Sequence, residues 1–245
     1  MRTALLLVGQ PRTMEFCFPS LKKHILDVYH PDVFACSDAE VDRIVNLYNP
    51  TRFDVHDQQY IDEQVAIRRS KFIPPGGEVM PHKDLSIAWK VWRANEMKRE
   101  HELQHGFIYD VVLLTRFDVK FAYVQPIDPP QPNTFYVPRV GAYWDTPPDY
   151  PGVHWHGYSA HLCWMDSATA DKIAPMYFEG TNIYQQARES SKEFGWVPEY
   201  TLRYFLEKQR INVKLVNIDM MLIRGTDTEP LAYNNTSLQD FPAYR

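Results

Sequence analysis

Tyr109-Asp110-Val111-Val112-Leu113-Leu114-Thr115-Arg116-Phe117-Asp118 is an apolar run that ends in a carboxylate. A short continuous run of this kind reads as a strand buried on both faces, the pattern of a parallel sheet. Ala4-Leu5-Leu6-Leu7-Val8 has the same character and is stopped by Gly9. Residues 32–36 (Asp-Val-Phe-Ala-Cys) and 52–56 read as two further strands. Between them the apolar period changes. Phe18, Leu21, Ile25 and Val28 recur at helical spacing and predict a helix over 15–29, ended by His30-Pro31. A second helix is expected over 39–48, closed by Asn49-Pro50. A long one is expected over 84–102, with Leu85, Ala88, Trp89, Trp92 and Met97 inward. Strands alternating with helices predict an α/β fold, with a mostly parallel central sheet flanked by helices.

The remaining segments fit a single domain over residues 1–245. Residues 58–82 are irregular and end in the turn Ile73-Pro74-Pro75-Gly76-Gly77. Residues 125–151 form a proline-rich, aromatic excursion with one short strand at 134–137. A strand over 158–165, a helix from Ser167 to about Tyr177 with Asp166 as N-cap, and a helix over 198–208 follow. Residues 211–217 read as the final strand, and the tail from Gly225 as a polar loop.

Composition narrows the function classes. The net charge is −5 and no long basic run is present, which argues against a nucleic-acid partner. No G-x-x-x-x-G-K-[ST] or G-x-G-x-x-G occurs, which argues against a P-loop enzyme, a kinase or a dehydrogenase. Cys17, Cys36 and Cys163 are odd in number and widely spaced, so reduced thiols and a cytoplasmic protein are expected. The apolar run at the start is too short for a signal peptide, and no stretch is long enough to span a membrane.

Asp118 is the central candidate. It follows a buried strand at the C-terminal edge where open α/β sheets bind ligands. A carboxylate there can hold Mg²⁺ or Mn²⁺ against phosphate oxygens, or can cap a turn or pair with an arginine.

The ordered set of short motifs resembles GT-A glycosyltransferases of bacterial and viral polysaccharide and lipopolysaccharide synthesis. Gly9-Gln10-Pro11-Arg12 matches the G-x-x-R after the first strand, and Asp32-Val33-Phe34 matches the second strand. Tyr109-Asp110 with Arg116-Phe117-Asp118 matches the mid-chain element, and Pro198-Glu199 matches a late helix start. The agreement runs over about residues 3 to 224. It implies transfer of a sugar from a nucleotide-diphosphate donor to a glycan or lipid-linked hydroxyl, with peripheral membrane contact allowed. A carbohydrate- or nucleotide-binding protein without catalysis is the alternative on the same fold.

The resemblance puts Gly9, Gln10 and Arg12 beside the nucleotide and Asp118 at the metal or diphosphate. Arg116 stands where the usual D-x-D motif has its first aspartate. A cation cannot ligate a metal, so Arg116 contacts the diphosphate or holds Asp118. Departure of the diphosphate is therefore assisted by Mn²⁺ or Mg²⁺, or by Arg and Lys without a metal. His161 falls near a position commonly acidic in the family, as a contact to metal, acceptor or leaving group. Glu199 is the candidate general base, though a glutamate in a first helical turn also favours the macrodipole. Asp145 and Asp149 are lesser base candidates.

Lys90 could face the donor sugar or lie exposed on its helix. Arg224 could contact the diphosphate from the tail. Arg68-Arg69-Ser70-Lys71 could close over phosphates or form a solvated face. His154 and His156 would share one face of a strand and His161 the other, so one extended strand cannot converge all three on zinc.

Overall fold

The computed structural model describes residues 1–55, 59, 63, 82–138, 161–176, 198–225 and 230–235; for 82–85, 198–201, 224 and 230–235 it describes the backbone alone. Strands β1 (Thr3–Val8), β2 (Asp32–Ser37), β3 (Arg52–Val55) and β4 (Val111–Arg116) are parallel neighbours in the order β3-β2-β1-β4. Beyond β4 lie β7 (Leu162–Met165), β6 (Thr134–Pro138) and β8 (Asn212–Val216), which make a sheet of seven strands among the described residues. Only β7 runs against the others, antiparallel to both β4 and β6, whereas β6 and β8 are parallel. The chain is therefore α/β with a mostly parallel central sheet, as the alternation predicts.

All six residues of β1 are buried, because both faces of the sheet are covered. Ala4, Leu6 and Val8 face one apolar layer, and Leu5 and Leu7 face the other. The first layer is closed by α3 (His82–His105), α4 (Ser167–Ile173) and α5 (Pro198–Lys208). The second is closed by α1 (Met14–Leu21), α2 (Val41–Tyr48) and a small antiparallel sheet. That sheet has the order β10-β9-β5, from β5 (Val119–Val124), β9 (Ile218–Gly225) and β10 (Pro230–Asn235).

The small sheet is the main departure from expectation. The tail beyond Gly225 is not all loop, since β10 pairs with β9. Nor is 211–217 the last strand: β9 follows β8 after one residue, Asn217. β5 buries Val119 and Phe121 while Lys120, Ala122 and Tyr123 are exposed, the signature of a strand with one wet face.

Helix boundaries follow local chemistry. Past Pro19 the first helix loosens into a π-helical turn, Lys22–Leu26, before Asp27–Tyr29. His30 and Asn49 take positive φ and stop their helices. α4 ends at Ile173, short of Tyr177, because Pro175 cannot continue it. Asp166 is its N-cap, accepting the Thr169 amide at 2.6 Å. The expected strand over 158–165 is present from Leu162, and its first residues lie outside the described ones, as does the 58–82 segment apart from Gln59, Glu63 and the start of α3. Among the described residues no helix is long and apolar enough to cross a membrane. The three cysteines are buried and unbridged, as expected.

Candidate active site

After β1 the chain steps outward through β2 and β3, then returns along α3 to lay β4 on the other side of β1. The loops after β1 and β4 thus leave the same sheet edge side by side, and both lead into the layer shared by α1 and β5. The strand order reverses between β1 and β4, and α/β sheets bind ligands in a crevice outside the carboxyl ends of the strands at such a switch point.

The β1 loop begins at Gly9, whose φ of 113° is one that side-chain-bearing residues rarely adopt. Its amide donates to the Cys36 carbonyl at 3.3 Å, which ties the loop to the end of β2. Gln10 is half-buried and Arg12 is exposed. Arg12 makes no hydrogen bond or ion pair among the described residues. Thr13 is fully buried at the start of α1, yet its hydroxyl does not cap that helix. It donates instead to the Ile223 carbonyl of β9 at 3.1 Å.

The β4 exit is a two-residue turn, Phe117-Asp118, into β5. Phe117 is buried edge-on against Tyr48, with ring centroids 5.6 Å apart, and anchors the turn. Arg116, the last residue of β4, doubles back on Asp118. Its Nε donates to Oδ1 and its Nη2 to Oδ2, each at 2.7 Å. The carboxylate side chain is 3% exposed and the guanidinium side 22%. The Asp118 carbonyl also accepts the Ile223 amide at 2.8 Å.

His161 stands beside this turn by register. Leu162 of β7 pairs with Thr115, so His161 lies across from Arg116. It is half-buried, and its carbonyl accepts the Thr115 hydroxyl. Arg224 follows Ile223 on β9, one residue from the backbone bond to Asp118; its side chain lies outside the described residues. Glu199 is the second residue of α5, and it too is described by backbone alone.

Lys90 is not exposed. It is 2% accessible on α3 and meets Asp38, just past β2, at 3.2 Å. Arg93, one turn along, pairs with Asp54 at the end of β3. Burial pushes the Cys36 thiol up, and the carboxylates of Asp54 and Asp38 add to this while Lys90 and Arg93 oppose it. Asp38 was missed by sequence reading, although the strand-end rule that singles out Asp118 also applies to β2.

Not every matched motif residue belongs to the crevice. Asp32 accepts the Tyr109 hydroxyl at 2.7 Å, and Asp110 accepts the Arg2 amide at 2.7 Å. Both brace the opposite edge of the sheet. Lys98, fully buried, joins Glu102 at 3.2 Å and Asp171 at 3.0 Å at the far end of α3. His154, His156, Asp145, Asp149 and the 68–71 basic run lie outside the described residues.

Mg²⁺ and Mn²⁺ ask for several oxygen ligands. The β4 turn offers the Asp118 carboxylate with a guanidinium on both its oxygens, and the Asp38 carboxylate after β2 is paired with Lys90. Among the described residues no three His, Cys, Asp or Glu side chains form a metal-holding group. The described residues alone do not make up such a ligand set.

No protein-family model matches the chain, and no curated protein does. Among solved structures it is similar to mouse xyloside xylosyltransferase 1 in its apo form, at 11% identity and a TM-score of 0.48, over 88% of this chain and 85% of that chain.

Proposed function

We propose that this chain transfers a sugar from a nucleotide-diphosphate donor to a hydroxyl of a glycan or lipid-linked acceptor. The observation that carries the reading is the meeting of the Gly9–Thr13 loop and the Arg116–Asp118 turn at one switch point. A loop pinned by Gly9 lets a ligand approach backbone closely. An arginine fork beside it suits a phosphate oxygen pair. Gln10 and Arg12 border the same crevice from the β1 side.

In this reading catalysis is mainly positioning and charge stabilisation. Arg116, with Arg12 and Arg224 as further candidates, meets the charge that develops on the departing diphosphate. Glu199 takes the acceptor proton. Its helix leads to β8 within a few residues, so the opening turn belongs to the edge that holds Arg116. His161, across from Arg116, borders the acceptor or leaving group. Buried reduced thiols suit a cytoplasmic place of action.

The test is a thermal-shift panel of nucleotide-diphosphate sugars on the purified chain, followed by transfer assays on variants. A ligand that binds only the folded state raises its apparent stability. A shift confined to one base series supports the donor site. Glu199→Gln is expected to lower transfer about 10²- to 10⁴-fold while leaving the donor shift in place. A protein that melts cooperatively with no shift from any donor would sink the proposal.

A further inference from the structure

We infer that Arg116 takes the place of a divalent cation at the diphosphate and that Asp118 is its positioning residue, an inference that rests on the donor reading above. The usual assignment makes the aspartate the metal-binding group. Here both of its oxygens already accept N–H bonds from Arg116, in the parallel two-point geometry that orients a guanidinium firmly. An arginine has five N–H donors. Two go to Asp118, and the other three find no partner among the described residues. The guanidinium is part-exposed at the crevice while its carboxylate is buried beneath it. Such a group is a fixed anion receptor with its free donors turned away from the carboxylate. Phe117 in the core and the Ile223 amide on the Asp118 carbonyl hold the turn on either side.

The step balances without a metal. The bond between the sugar anomeric carbon and the β-phosphate oxygen breaks, and its electron pair stays on that oxygen. The acceptor oxygen forms the new bond to carbon, and its proton passes to the carboxylate of Glu199. The nucleoside diphosphate gains one negative charge, and the Arg116 N–H donors not spent on Asp118 face it.

The experiment is calorimetric titration of the full chain with UDP, GDP and dTDP, once in EDTA and once in excess Mn²⁺, with free Mn²⁺ followed by electron paramagnetic resonance. One diphosphate is expected to bind within about threefold equally in both conditions. The protein should sequester no Mn²⁺ beyond what the nucleotide itself takes. Arg116→Lys, which keeps the charge and loses the fork, is expected to weaken binding about ten- to hundredfold in EDTA. Binding that requires Mn²⁺, or an Arg116→Lys protein that binds as tightly as the parent, overturns the inference; the first of these leaves the donor reading standing. Failure of every diphosphate in both conditions overturns the donor reading and the inference together. The comparison of EDTA with Mn²⁺ needs no variant, so it decides even if a substituted chain misfolds.

Discussion

Thr13 and Ile223 are 210 residues apart in sequence, and a 3.1 Å hydrogen bond joins them at the root of the crevice. Ile223 also gives its amide to the Asp118 carbonyl. One residue of β9 therefore fastens the loop after β1 to the turn after β4. Thr13→Val keeps the shape and removes the donor, leaving the buried Ile223 carbonyl short of a partner. The expected loss is about 1–3 kcal/mol in urea unfolding, with Thr13→Ser restoring most of it. An unchanged midpoint for Thr13→Val would mean the bond is not made in solution.

Asp118→Asn separates two roles by sign. If the carboxylate only added negative charge to the site, removing it would strengthen diphosphate binding. If it positions Arg116, removing it loosens the fork and weakens binding. We expect weaker binding, by about tenfold or more, with transfer lost and the cooperative melt retained. Asp118→Glu should recover part of the affinity. In a double-mutant cycle Asp118→Asn and Arg116→Lys should couple by about 0.5–3 kcal/mol, since each breaks the same pair. Tighter binding in Asp118→Asn would contradict the positioning role.

Much of the sheet was readable because burial on both faces writes continuous apolar runs, as in Ala4–Val8 and Val111–Leu114. The small sheet was harder for a physical reason. β5 is wet on one face, so Lys120 and Ala122 interrupt its apolar residues, and β9 adjoins β8 with no turn signal beyond Asn217. The strand-end rule led to Asp118 but could not say what its oxygens hold; that depends on the rotamer of a residue two positions away. Lys90 shows the same limit. A lysine on a helix is normally solvated, and only the tertiary position of Asp38 accounts for its burial. Asp32 and Tyr109 look like site motifs, yet their bond lies on the other edge of the sheet.

Lys98 tests whether that distant edge is structural alone. Its ammonium is fully buried between Glu102, Asp171 and the Ser167 hydroxyl, and Glu102 also accepts the Tyr109 amide at 2.9 Å. Lys98→Met leaves Glu102 buried without its cation. The expected cost is about 3–5 kcal/mol, measured by urea unfolding. Diphosphate affinity of the folded fraction should be unchanged, because the network lies at the end of α3 away from Lys90. A large loss of affinity at normal stability would tie this edge to the site.

His101 gives the fold a dependence on acid. Burial lowers its pKa below the ordinary 6.5, and the neighbouring His105 lowers it further, while Asp32 and Glu102 act in the opposite sense. The two histidine rings are 4.3 Å apart, and Nδ1 of His101 lies 2.9 Å from the Tyr109 hydroxyl. A histidine whose folded pKa is depressed binds its proton more readily when unfolded. Stability from this group is therefore full above the unfolded value and is lost as pH falls from about 6.5 toward the folded value. Unfolding free energy should decline with acid across that window, and His101→Gln should flatten the decline without changing stability at pH 8 by the same amount. An identical slope in parent and variant between pH 5 and 6.5 would show that the proton is taken up elsewhere.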